Sequence, residues 1–254
     1  MNKNKKVVFI TGTPGVGKTT VAEYLNNKLN KKYISKLFKI NEIATENDLI
    51  QGKDSERGYQ IVDIEKLNKK LFEIINNDNI ENLNLNNINN KNSNEKNKNN
   101  YNLKNNENTK SYDLKNNEKN NENTKSDDLK NNEKNNENIE SGDLKISEIA
   151  IVEGHLSHLC DNCDKIIVLR LNPEILEKRL EKRDYLKSKI EENLEAESLA
   201  VCSVEAFQKH GSKVNEIDTT GMSIEEVASD MQKIIFNEKE FPVGKIDFMD
   251  WLIQ

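Results

Sequence analysis

Eight residues near the start of the chain, Gly12-Thr-Pro-Gly-Val-Gly-Lys-Thr19, limit the possible folds severely. They satisfy G-x-x-x-x-G-K-[ST] at every fixed position, the pattern of a loop that wraps a phosphate in inward-turned backbone N–H groups. The glycines allow conformations closed to other residues and a close approach to oxygen. A helix starting near Lys18 points its positive end at the same anion. Lys18 adds a mobile charge for β- and γ-phosphates, the Thr19 hydroxyl is placed to ligate Mg²⁺, and Thr20 is placed to reach an α-phosphate. The flanks agree with this mechanism. Before the loop runs Lys6-Val-Val-Phe-Ile-Thr11, the short apolar stretch of a buried parallel strand. After it, Val21, Leu25 and Leu29 fall on one helix face.

The rest of the ordered sequence continues the alternation. A second strand is expected in Tyr33–Ile40, short helices bracketing a glycine-containing loop at Gly52–Gly58, and a longer helix from about Asp63 to Ile75. Further on, Ile149-Ala-Ile-Val152 and Lys165-Ile-Ile-Val-Leu169 read as buried strands. Asn172-Pro173 starts a helix with proline at its first position. A long charged helical region is expected over Leu186–Gln208, a last strand over Lys213–Ile217, and a final helix opened by the capping box Ser223-Ile-Glu-Glu226. Strands alternating with helices imply a parallel sheet covered on both faces, an α/β three-layer P-loop NTPase fold.

Residues 77–146 break this pattern. More than a third are Asn, none is Pro, and eleven lysines nearly balance thirteen acidic residues. Asp113-Leu-Lys-Asn-Asn-Glu-Lys-Asn-Asn-Glu-Asn recurs at Asp128, and Asp143-Leu-Lys begins it again. One leucine per repeat cannot bury enough apolar area to offset the entropy of ordering its neighbours. The segment is therefore expected to be a disordered insert dividing one domain into residues 1–76 and 147–254.

The net charge of -6 gives no general reason to expect nucleic acid as a bulk electrostatic partner, a local basic face aside, and no direct sequence-specific DNA binding is expected. Three cysteines do not suit a disulfide framework and point to a reducing compartment. The apolar run after the basic Met1–Lys6 is too short for a signal-peptide core, and no stretch is long enough to span a membrane. A cytoplasmic protein is expected.

A P-loop enzyme needs a carboxylate at the end of a neighbouring strand to hold its metal. Ile149-Ala-Ile-Val-Glu153 supplies one, and His155, two residues on, is a candidate for orienting a nucleophile or water. The set His155, His158, Cys160 and Cys163 suggests zinc, but the pair Cys160 and Cys163 lies between two sheet strands without a second such pair; buried small residues or free thiols fit better. Arginine is scarce. Arg179 and Arg183, four apart in Glu177-Lys-Arg-Leu-Glu-Lys-Arg-Asp-Tyr185, share a helix face beside the charged region and suit a lid over phosphates; Arg57 and Arg170 are the others.

Taken together, Thr11-Gly-Thr-Pro-Gly-Val-Gly-Lys-Thr-Thr20, Ile-Val-Glu-Gly-His155 and Glu-Lys-Arg-Leu-Glu-Lys-Arg-Asp-Tyr185, followed by Glu-Glu-Asn-Leu-Glu-Ala-Glu197, resemble the adenylate kinase isoenzyme 6 family in its archaeal-like form. The resemblance extends to Val243-Gly-Lys-Ile-Asp-Phe-Met-Asp-Trp251 and omits the insert. It implies a broad-specificity nucleoside monophosphate kinase favouring AMP, using ATP with Mg²⁺, with ATPase activity besides. It also implies a role in late small-ribosomal-subunit maturation and rRNA processing, through a platform protein of that subunit. By position, Gly15, Gly17, Lys18, Thr19 and Thr20 would bind ATP, joined by Arg183 from a lid over about Lys182–Glu192. A monophosphate-binding region would span about Lys39–Val62, with Thr45 where some relatives carry arginine. Glu153 and His155 match the family's acidic-x-His motif.

Two functional classes follow: phosphoryl transfer from ATP to a monophosphate, or an assembly ATPase with little kinase activity. A GTPase does not fit. Asp218-Thr-Thr-Gly221 and Thr124-Lys-Ser-Asp127 have the appearance of guanine motifs, but in reversed order, and the second lies inside the insert.

Overall fold

A computed structural model describes residues 4–54, 60–77, 146–183 and 185–253. These belong to one unit, Met1–Asn79 together with Leu144–Gln254. The Asn-rich repeats lie outside the described residues, as does Arg57.

Five parallel strands form the sheet: β1 (Lys5–Thr11), β2 (Ile34–Lys39), β5 (Glu148–Glu153), β6 (Lys165–Arg170) and β7 (Val214–Asp218), in the order β2-β5-β1-β6-β7. Alternation along each strand sorts side chains into two cores. One face presents Val8, Ile10, Ile149, Ile151, Ile167, Leu169 and Ile217. Against it lie the apolar sides of α1 (Lys18–Leu29), α4 (Pro173–Glu181), α5 (Lys187–Ser198) and α7 (Ile224–Ile235). The other presents Val7, Phe9, Ala150, Val152, Ile166, Val168 and Val214 to α2 (Ile40–Glu46), α3 (64–77) and α6 (Val201–His210). Strands apolar on both faces require such double cover, so the three-layer α/β fold expected from the sequence is the one found.

Local signals hold at both marked helix starts. Asn172 accepts a hydrogen bond from the Glu174 N–H ahead of Pro173, and Ser223 and Glu226 form a reciprocal capping box. β2 lies within the expected Tyr33–Ile40, and α2 begins directly after it at Ile40. Two expectations need correction. The glycine-containing stretch lies between antiparallel strands β3 (Ile50–Lys53) and β4 (Gln60–Val62), and one short helix precedes it instead of two bracketing it. The charged region is two helices, broken where Ala200 adopts a left-handed conformation at φ 55°. Among the described residues, no helix is long and apolar enough to cross a membrane.

Candidate active site

The phosphate loop leaves the central strand β1 and ends at the N-terminus of α1, capped by Gly17. Two glycines are sterically required. Gly12 has φ 133°, and a Cβ there would lie 2.4 Å from the Leu169 carbonyl oxygen. Gly15 has φ 98°, and its Cβ would lie 2.8 Å from Leu176 Cδ1 and 2.9 Å from Leu180 Cδ2, both on α4. The loop is thus seated on β6 and α4, with no room for side chains on that side.

Lys18 is buried and folds back, its Nζ donating to the Gly12 carbonyl at 2.9 Å and the Thr13 carbonyl at 3.0 Å. Burial draws its pKa down to about 8; Arg183 pushes the same way, while Cys202, Glu153 and Glu197 oppose. The ammonium form still predominates at neutral pH. Thr20, by contrast, is exposed on the first turn of α1.

Strand register delivers the carboxylate. β5 lies directly beside β1, with Glu153 paired to Ile10 and, on its other side, to Lys39. Glu153 therefore sits at the carboxyl edge of the sheet, next to the phosphate loop, and its Oε1 accepts from the Thr19 hydroxyl at 3.2 Å. Burial raises its pKa, with Lys18 and the Thr19 hydrogen bond pulling it back. His155 is held down at about 4, by burial first and then by the charge of Lys18, so it is a neutral imidazole at pH 7.

The two arginines expected in a lid, Arg179 and Arg183, do not share one helix face. Arg179 lies on α4, and its Nη1 donates to the Val16 carbonyl at 3.3 Å, with the Gly15 carbonyl at 3.5 Å. α4 stops at Glu181, so Arg183 lies in the turn beyond, exposed, where its charge still acts on Lys18. Thr45, in the stretch expected to bind the monophosphate, is exposed, its hydroxyl donating to the Asn41 carbonyl at 2.8 Å. Lys39 projects from the end of β2, between Glu23 at 2.8 Å and Glu42 at 3.5 Å.

The His/Cys set does not gather around a metal. Cys160 and Cys163 are buried in the second core, their thiols pushed up by burial to about 12 and about 11. His158 lies between the Thr11 hydroxyl, 2.7 Å from Nδ1, and Glu205, 3.0 Å from Nε2. A carboxylate only accepts, so Nε2 carries the hydrogen and Nδ1 accepts from Thr11. Among the described residues no three His, Cys, Asp or Glu side chains converge as a metal cage.

Residues 8–101 and 97–200 match a family model described as an AAA domain. A protein of Methanothermobacter thermautotrophicus named "Putative adenylate kinase" is 34% identical over 97% of this chain and 99% of its own length. One of the same name from Methanosarcina barkeri is 31% identical over 97% of each. This chain belongs to the family of these archaeal proteins named "Putative adenylate kinase". Membership agrees with the strand order and phosphate loop described above, on which the fold assignment rests. Among solved structures, thymidylate kinase from Candida albicans aligns at TM-score 0.43 and 12% identity over 92% of each chain.

In this family member the Thr19 hydroxyl and the Glu153 carboxylate form an adjacent pair of hard oxygen donors. A magnesium ion that takes most of its ligands from phosphates and water needs no larger set from the protein, and the pair fits one. Sequence reasoning missed a second layer behind the loop. Arg170, which ends the apolar strand β6, Glu216 in β7 and Glu197 in the last turn of α5 are all buried. The available signal was the arginine closing a strand otherwise apolar on both faces, a charge that requires a partner when buried.

Proposed function

We propose that the protein is a nucleoside monophosphate kinase that transfers the γ-phosphoryl group of Mg-ATP to AMP or another monophosphate. The observation that carries this reading is the convergence of Lys18, Thr19 and Glu153 at the carboxyl edge of adjacent parallel strands, with Arg179 reaching the same loop. Family membership supports the acceptor class.

In this mechanism a phosphate oxygen of the monophosphate attacks the γ-phosphorus in line while the bond to the β,γ-bridging oxygen breaks, giving two diphosphates. Bound Mg²⁺ would neutralise phosphate charge, held by Thr19 and Glu153. The loop N–H groups and Lys18 hold the β- and γ-phosphates, and Arg179 and Arg183 balance charge that spreads to the transferring group. Neutral His155, unable to repel the cations around it, orients the nucleophile. Catalysis is almost wholly placement and charge neutralisation.

ATP hydrolysis is a second activity of the same site, because His155 can orient a water in the acceptor's place. The small-subunit maturation role rests on the family resemblance. The deciding assay supplies ATP and Mg²⁺ with and without AMP. ADP should form much faster with AMP than phosphate is released without it, and Lys18→Ala should lower the AMP-dependent rate by about 10²-fold or more. If AMP makes no difference, the kinase reading fails and the ATPase reading replaces it.

A further inference from the structure

Behind the phosphate loop lies a buried polar cluster that the transfer chemistry does not use. The Glu197 side chain is 1% exposed and all its contacts are donors. Oε1 accepts from Arg170 Nε at 2.9 Å and from the Leu171 N–H at 2.9 Å, and Oε2 accepts from the Thr13 hydroxyl. Arg170 also donates to the Glu197 carbonyl at 2.6 Å and to Glu216 at 3.1 Å. Glu216 in turn accepts from the Gly244 N–H at 2.8 Å, and the Phe248 ring lies 5.3 Å from the Arg170 guanidinium carbon. Buried ion clusters of this kind contribute little net stability compared with apolar side chains of equal volume. What this one does provide is direction, because it presents a fixed acceptor to one hydroxyl of the phosphate loop.

We propose that Glu197 is a positioning residue that fixes the phosphate loop through Thr13 and ties it to the helix that follows the lid. Residue 13 is held at two points, its carbonyl by Lys18 and its hydroxyl by Glu197. The first tie competes with phosphate for the lysine's three donors; the second does not. The loop therefore keeps its shape when the ammonium turns to the nucleotide. Glu197 lies in the last turn of α5, whose first residues belong to the lid, so displacement of that helix is felt at the loop. The other side of Gly12 is tied to the same corner, because Thr11 faces His158, which is braced by Glu205 of α6. The inference rests on the kinase reading for its meaning but is tested by binding alone.

The test compares Thr13→Val, Glu197→Gln and the double variant with the wild-type chain. Readouts are equilibrium titration of a fluorescent ATP analogue with Mg²⁺, KM for ATP and for AMP, kcat, and thermal melting. Thr13→Val, which leaves the Arg170 cluster intact, should weaken ATP binding by about tenfold or more. Because one buried Glu197 oxygen loses its donor, its melting temperature should fall by about 2–8 °C, and KM for AMP should move much less than KM for ATP. Glu197→Gln should weaken ATP comparably, and the double variant should be no worse than the poorer single one. Unchanged ATP affinity in Thr13→Val overturns the proposal, as does a lowered melting temperature with affinity intact, the mark of a merely structural bond. If Glu197→Gln does not fold, Thr13→Val decides alone. If the wild type shows no AMP-dependent turnover, the kinase reading falls while the titration still judges the tie.

Discussion

Lys18 illustrates how much a single residue's setting adds to its motif. The pattern identifies the lysine; only the fold shows that it is enclosed, bonded to two loop carbonyls and drawn down to about 8. The sign of the consequence is fixed. The cation grips phosphate, it is present below the folded pKa, and it is lost as pH rises through that value. ATP affinity of the free enzyme should therefore fall progressively above pH 8, where an ordinary lysine would hold its proton for two more units. Bound triphosphate stabilises the cation, so kcat at saturating ATP should decline only at higher pH. Titrations of ATP at intervals from pH 7 to 9.5 would decide it, and a flat profile would show that the lysine is not desolvated. At this scale the loop and the placement of Glu153 beside it were readable from residue type and spacing. Thr13 and Glu197 were not, because their bond spans 184 positions of sequence and no local pattern records it.

Between elements, the strands were legible because burial on both faces produces unbroken apolar runs, and two helix starts because Pro173 and Ser223 act locally. The α5–α6 break was not. Ala200 belongs to the type with the strongest helix propensity and carries no signal for the left-handed turn it adopts. The pairing of β3 with β4 was hidden because both strands are short and mostly exposed and lack the alternation that marks a longer pair. The elements meet at Arg170, which joins β6 to α5 and β7. Arg170→Met leaves Glu197 and Glu216 as two buried carboxylates without their cation. The expected loss is about 3–5 kcal/mol of unfolding free energy, read from urea denaturation. Arg170→Lys should recover only part of it, because an ammonium cannot reproduce the fork that reaches Glu197 Oε1, its carbonyl and Glu216 together.

On the scale of the whole molecule, the chain departs from one domain and returns to it across residues 78–145. The two points of departure and return are anchored to neighbouring residues at the start of β1. Lys5 Nζ donates to the Ile75 carbonyl at 2.5 Å, and the Asn4 carbonyl accepts from the N–H groups of Ser147 at 3.0 Å and Glu148 at 3.2 Å. With its ends fixed in this way, the length between them enters stability only through closure entropy, roughly 0.6 kcal/mol per doubling. Replacing about seventy residues by about ten removes fewer than three doublings, which favours the shortened chain by up to about 2 kcal/mol. The shortened protein should melt at the same temperature or a few degrees higher, about 2–4 °C per kcal/mol at this size. Since Lys18, Glu153, Arg179 and Glu197 all lie in the retained part, its AMP-dependent turnover should match the full chain. A shortened protein that folds with unchanged melting behaviour yet loses turnover would mean that the repeats take part in the reaction, and that the two-part domain is not the whole of the working enzyme.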